Sequence, residues 1–205
     1  GGLFVSEDAG NSFELVESLW NHPTRKDGWF GGGRDQPGIH SVVVDPRNED
    51  HIHIGISCAG VFESIDAGKT WEIRNKGLKA EFLPDPDTQT GHDPHILVSA
   101  PTNPDILWQQ NHCGIFRSVD AAKTWTDIGQ PEGPANFGFA IAVADDNAEQ
   151  AWVAPANSDM TRTAIKGALY ICRTDDGGKT WKDLRKGLPQ ENCFDIVYRH
   201  ALVSS

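Results

Sequence analysis

The chain has 205 residues, 38% of them hydrophobic, four cysteines and a formal net charge of −11. That is enough apolar material for a folded core, and no apolar run reaches the roughly 20 residues that a membrane helix needs. Lys and Arg are outnumbered by Asp and Glu and form no clustered patch, which argues against both nucleic acid and an anionic membrane as partners.

Taken in chain order, residues 1–16 read as a hairpin around Ser6-Glu-Asp8-Ala-Gly10, and a long loop, Glu17–Gly38, follows. Ile39–Val44 and His51–Ile56 alternate as strands do, with a turn over Asp45–Asp50. Gly60–Ser64 is the next strand and Trp71 opens its return, so 39–74 forms one unit. After the loop Leu78–Pro94 the order repeats with His95–Ser99, Ile106–Gln110 and Gly114–Ser118, giving a unit over 95–128. A third unit, 138–184, holds Phe139–Val143, Ala151–Ala154, the loop Pro155–Gly167 and the strand Ala168–Cys172. The segment 194–205 begins with Phe194–His200, which reads as the innermost strand of a further unit.

One pattern recurs at intervals of about 55 residues, the mark of a modular array. Its copies are Ser6-Glu-Asp8-Ala-Gly10-Asn-Ser12-Phe13, Ser64-Ile-Asp66-Ala-Gly68-Lys-Thr70-Trp71, Ser118-Val-Asp120-Ala-Ala122-Lys-Thr124-Trp125 and Thr174-Asp-Asp176-Gly-Gly178-Lys-Thr180-Trp181. The Asp and Ser side chains suit a turn because they accept hydrogen bonds from nearby backbone N–H groups, and Gly supplies positive φ. The closing indole is large enough to fill the gap between neighbouring sheets. Ala122 stands where the other copies have Gly; an alanine at positive φ costs on the order of 1 kcal/mol, so this turn is expected to be the least well formed.

These residues resemble the Asp-box, or BNR, repeat S-x-D-x-G-x-T-W of sialidase-like β-propellers. Bacterial BNR-repeat proteins labelled glycosyl hydrolase or exo-α-sialidase carry it, as do xyloglucanases, photosystem assembly factors and sortilin-type receptors. The resemblance implies an all-β propeller segment of about three and a half four-stranded antiparallel blades. It also implies a structural role for Asp8, Asp66, Asp120, Asp176, Trp71, Trp125 and Trp181, on turns remote from any catalytic centre. Propellers close with about 4–8 blades, so the expectation is a fragment, or two chains completing one another as a homodimer.

In such a blade the loops leading into the first strand and those joining the second to the third share one face, the top. The long loops fall there, where propellers bind ligands. Aligning the units puts His40 and His95 at one position, with Phe139 in the third, and pairs Cys58 with His112. Trp29, Phe30, Arg34, Asp35, Asp93, Asp159 and Arg162 lie in the top loops, and Asp195 and Arg199 in the last strand. A mouth rich in histidine and carboxylate is the binding-site hypothesis. As a glycosidase it would use Asp35 and Asp93 as acid and base, with Trp29, Arg34, His40, His95 and His112 holding the ligand. As a metal site it would use His40, His95 and His112 with a carboxylate; no local ligand motif supports this, and no metal or other cofactor is expected.

The arginine triad and Tyr/Glu pair of sialidases are not recognisable, and Gly31-Gly32-Gly33 reads as a hinge folding Trp29 and Phe30 over the mouth. The functional expectation is a glycosyl hydrolase-like or glycan-binding protein; the alternative is a non-enzymatic scaffold holding a peptide or protein. Free thiols in a reducing, cytoplasmic compartment are expected, because the four cysteines show neither CxxC spacing nor disulfide-scaffold density.

Overall fold

The computed structural model describes residues 1–204, so Ser205, the last residue of the segment 194–205, lies outside the described residues. β1 (Phe4–Val5) and β2 (Glu14–Leu15) form a short hairpin, followed by two one-turn helices, α1 (Glu17–Trp20) and α2 (Arg25–Gly28), within the first long loop. Three meanders come next. The first comprises β3 (Ile39–Asp45), β4 (Asn48–Ile56), β5 (Gly60–Ser64) and β6 (Glu72–Ile73). The second comprises β7 (Pro94–Ala100), β8 (Asn103–Asn111), β9 (Gly114–Ser118) and β10 (Thr126–Asp127), and the third β11 (Gly138–Val143), β12 (Ala151–Pro155), β13 (Ile171–Thr174) and β14 (Lys182–Leu184). Each is a four-stranded antiparallel sheet in chain order. The fold is a β-propeller segment of three complete blades preceded by an outer hairpin. Among the described residues no helix is long and apolar enough to cross a membrane.

The turn expected over Asp45–Asp50 closes to two residues. Asp45 already pairs with Asn48, because Arg47 N donates to Asp45 Oδ1 at 2.9 Å and Pro46 presets φ. The third blade departs the other way. Its third strand begins at Ile171 and not Ala168, because a 3-10 turn with Lys166 at φ 55° intervenes. The expected strand Phe194–His200 does not form: 194–198 pair with no strand and a 3-10 turn follows at Arg199–Ala201. A strand needs a neighbour for its N–H and C=O groups, and among the described residues none runs alongside. Tyr198 packs on Phe139 instead, with ring centres 4.8 Å apart.

The four repeated turns share one hydrogen-bond scheme. In the second, Gly68 N donates to Ser64 Oγ at 2.8 Å, Thr70 N to Asp66 Oδ1 at 2.9 Å and Thr70 Oγ1 to Asp66 Oδ2 at 2.6 Å. The third turn, expected to be the weakest, is as complete: Ala122 N to Ser118 Oγ is 2.9 Å and Thr124 N to Asp120 Oδ1 is 2.9 Å. Ala122 adopts φ 63° to do so. The strain beyond that of the other copies therefore falls on the backbone of Ala122 and does not open the turn. The residue before it is left-handed too, at Ala9, Ala67, Ala121 and Gly177, so the turn uses two successive positive-φ residues where the sequence indicated only the glycine.

Apolar side chains are buried in three layers: between α1 and the first blade (Leu19, Trp29, Ile54, Phe62, Trp71), between the first and second blades (Val61, Leu97, Leu107, Phe116, Trp125), and between the second and third (Ile96, Trp108, Ile141, Val153, Trp181). Each closing indole reaches back one unit. Trp71 Nε1 donates to Ser18 Oγ at 3.2 Å, Trp125 Nε1 to Arg74 O at 2.7 Å and Trp181 Nε1 to Ile128 O at 3.2 Å. The indoles thus join adjacent units through a polar bond as well as by filling space.

Candidate functional site

Opposite the repeated turns, the starts of β3, β7 and β11 and the connections β4–β5, β8–β9 and β12–β13 surround a cavity of about 670 Å³. Its walls bring together residues distant in sequence: Arg34 and His40, Cys58, Asp93 and His95, His112, Asp159 and Arg162, and Arg199. The correspondence of His40 with His95 and of Cys58 with His112 therefore describes one surface.

Asp93 is its centre. The residue precedes β7, and Ser57 Oγ donates to Asp93 Oδ1 at 2.7 Å. Asp93 Oδ2 lies 3.6 Å from His95 Nε2 and 3.6 Å from His112 Nδ1. Burial acts to raise the pKa of this carboxyl; hydrogen bonds and charge from His95, the Ser57 hydroxyl and the charge of His112 outweigh it and hold Asp93 well below the usual carboxylate range. His112 faces a second carboxylate, with Nε2 3.5 Å from Asp159 Oδ2. Burial pushes its pKa down.

His95 is fixed on both sides. Its Nδ1 lies 2.7 Å from Gly138 O, a carbonyl that can only accept, so Nδ1 carries a hydrogen and Nε2 is turned to Asp93. The ring stacks on Phe139 at 4.4 Å. His40 Nδ1 lies 3.3 Å from Pro94 O; burial first, and then the Arg199 charge, lower its pKa to about 4, so it is a neutral imidazole at neutral pH. The Cys58 thiol is pushed up to about 11 by burial and by Asp93, which leaves it protonated and a poor nucleophile.

Three guanidinium groups border the same space. Arg162 Nε donates to Asp159 O at 2.9 Å and Arg199 Nε to His95 O at 3.1 Å. Among the described residues neither these two nor Arg34 forms an ion pair with a carboxylate. Arg34 is placed by a tight turn in which its N–H donates to Gly31 O at 3.0 Å. A Cβ on Gly31 would stand 1.6 Å from Arg34 O, so the compact turn requires glycine at that position.

Three expected site residues are elsewhere. Trp29 is turned into the core, where Nε1 donates to Thr24 Oγ1 at 3.0 Å and the ring lies 4.9 Å from Phe62; the next residue, Phe30, faces the cavity in its place. Asp35 is exposed and outside the walls, because the turn that brings in Arg34 carries it past the rim. The second carboxylate of the mouth is Asp159. Asp195 also stays outside, accepting from the Cys193 thiol at 3.3 Å. Ser57, Phe82 and Tyr198 also form walls of the mouth, unexpected from the sequence. Ser57 adjoins Cys58, and Phe82 lies in the long loop before Pro94, so position alone was the available signal. The metal set considered from the sequence is also altered: Asp93, His95 and His112 present ligand atoms mutually within 4.8 Å, and His40 is not among them.

No protein-family model matches the chain. A probable oligoxyloglucan-reducing end-specific xyloglucanase of Neosartorya fischeri is 26% identical over 193 residues, covering 89% of this chain and 22% of that protein. The oligoxyloglucan-reducing end-specific xyloglucanase of Emericella nidulans is 25% identical over 211 residues, covering 95% and 24%. The chain is similar to xyloglucanases. It spans less than a quarter of the length of these relatives. Among solved structures, the GH74 xyloglucanase from Xanthomonas campestris superposes with a TM-score of 0.62 at 21% identity, covering 89% of this chain and 27% of that one. The GH74 enzyme of Niastella koreensis gives 0.61 at 22%, covering 89% and 26%. At these identities the structural likeness speaks for the propeller fold.

Proposed function

We propose that the chain is part of a BNR/Asp-box repeat propeller of glycosyl hydrolase-like or glycan-binding character, with its ligand held in the top-face mouth. The observation that carries this reading is the pairing of Asp93 and Asp159 on opposite nitrogens of His112, beside a cavity large enough for sugar rings. Two carboxylates flanking a bound glycoside are the groups from which hydrolysis is built. Phe30, Phe82 and Tyr198 offer faces on which rings can lie. The three guanidinium groups without carboxylate partners favour a glycan bearing carboxylate groups, because Arg pairs with them through two parallel hydrogen bonds. The xyloglucanase relatives support a glycan-directed role in general terms.

The test is a glycan array combined with a panel of chromogenic glycosides, neutral and uronic. Binding or turnover is expected, with Asp93→Asn and Asp159→Asn each lowering turnover at least 100-fold while the melting temperature stays within a few degrees. A protein that binds no glycan on the array and cleaves none in the panel would overturn the reading in favour of a protein-binding scaffold.

A further inference from the structure

The geometry points to a binding site for a divalent first-row transition metal ion, formed by Asp93, His95 and His112. Two imidazoles and one carboxylate converge on one wall of the cavity, with Asp93 Oδ2 3.6 Å from His95 Nε2 and 3.6 Å from His112 Nδ1. A tetrahedral ion with bonds of about 2.0–2.1 Å needs donor atoms roughly 3.3–3.4 Å from one another. The set is close to that spacing, and all three donors lie within 4.8 Å.

The surroundings resemble a metal shell in a second respect. Each donor is held from behind through its other polar atom: His95 Nδ1 against Gly138 O at 2.7 Å, His112 Nε2 against Asp159 Oδ2 at 3.5 Å, and Asp93 Oδ1 by the Ser57 hydroxyl at 2.7 Å. Imidazole ligands characteristically give their second nitrogen to a carbonyl or carboxylate in this way, which fixes the tautomer and aims the free lone pair. Phe139 stacks on His95 and Phe82 meets His112 edge-on at 4.9 Å, so neither ring turns freely. All three residues line the cavity, from which water or substrate would complete the coordination, as in open metal sites. Imidazole donors suit zinc, iron, copper or nickel better than calcium or magnesium, which take oxygen.

A second cluster, His51, His53 and Glu63, has similar spacing but different surroundings. Arg74 is paired to Glu63, and His53 Nε2 lies 3.2 Å from Ala121 O. Its donors are already engaged, Glu63 by a direct ion pair and His53 by a backbone carbonyl. It serves as an internal control.

The metal site shares Asp93 and Asp159 with the glycan reading, but metal binding is measured without a glycan, so the two fail separately. The protein is stripped with a chelator and titrated with Zn²⁺ by calorimetry and with Co²⁺ by visible absorption. One equivalent is expected, with the visible band of low-symmetry cobalt and a rise in melting temperature. Asp93→Asn, His95→Ala and His112→Ala are each expected to weaken binding at least tenfold, Asp159→Asn about tenfold, and His51→Ala not at all. His95 is buried and its variant is judged only if its melt is cooperative; Asp93→Asn and His112→Ala decide the matter otherwise. Absence of stoichiometric binding to the parent protein, or binding that survives in both variants, overturns the proposal. So does binding abolished by His51→Ala.

Discussion

The indole N–H of Trp125 donates to the carbonyl oxygen of Arg74 at 2.7 Å, tying the second blade's closing aromatic to the end of the first blade. Trp125 is buried with Phe116 and Leu107 in the layer between the two. Trp125→Ala is expected to lower stability by about 3–5 kcal/mol, the range for large aromatic truncations. Trp125→Phe keeps most of the volume and removes the donor, at a cost of about 1–3 kcal/mol for the unpaired carbonyl. Calorimetric melting checks both; equal melting temperatures for Trp125→Phe and the parent protein would show that the bond carries no weight.

Ser64→Ala tests the repeated turn. Ser64 is 2% exposed, and its hydroxyl accepts from Gly68 N and donates to Asp66 Oδ1. Its removal leaves a buried N–H without a partner, at a cost of about 1–3 kcal/mol. Stability should fall while ligand affinity at the mouth stays unchanged. A loss of ligand with intact stability would place the turn in the functional site.

Glu63 governs an acid-range prediction. It faces His51 and His53 on β4 and Arg74 beyond β6, and Asp45 on β3 meets His51 from the far side. Burial acts to raise its pKa; hydrogen bonds from both histidines and from Arg74, with the Arg74 charge, prevail and set it at about 2. The folded pKa is depressed, so the stabilisation is present above the unfolded value near 4.5 and is lost as pH falls toward 2. Urea melts from pH 6 to 2.5 should show a decline below pH 4.5 that is shallower in Glu63→Gln. Parallel curves would remove Glu63 from the account.

Trp29 and Phe30 are adjacent and serve different ends. Trp29→Ala should cost about 3–5 kcal/mol of stability. Phe30→Ala should leave the melt nearly unchanged and weaken whatever ligand the mouth holds. Melting and ligand titration of the pair, read together, check the assignment; a reversed pattern would restore Trp29 to the site.

The three blades were readable because their strands and turns repeat one pattern, whereas Phe194–His200, which shows the same alternation but has no strand to pair with among the described residues, was misread as a strand. The face of the molecule that carries the mouth was readable for the same reason, and His40, His95, His112, Asp93 and Arg34 do meet. What was not readable depended on loop conformation. Whether Trp29 or Phe30 points inward, and whether Arg34 or Asp35 reaches the cavity, is decided by single-residue phase in segments without periodicity. The turn at Gly31 sets that phase through a backbone contact that leaves no regular trace in the sequence. The partnership of Asp93 with Asp159 joins loops of different blades, and spacing along one chain cannot report it.

The guanidinium groups at the mouth have a consequence for how a ligand arrives. The molecule carries −11 overall, yet Arg34, Arg162 and Arg199 make one opening locally cationic. An acidic ligand is therefore repelled at long range and attracted only near the rim. Added salt screens the distant repulsion within a Debye length of about 8–10 Å and acts less on contacts inside the cavity. Capture of such a ligand should grow faster as ionic strength rises from very low values, opposite to the behaviour of a uniformly cationic receptor.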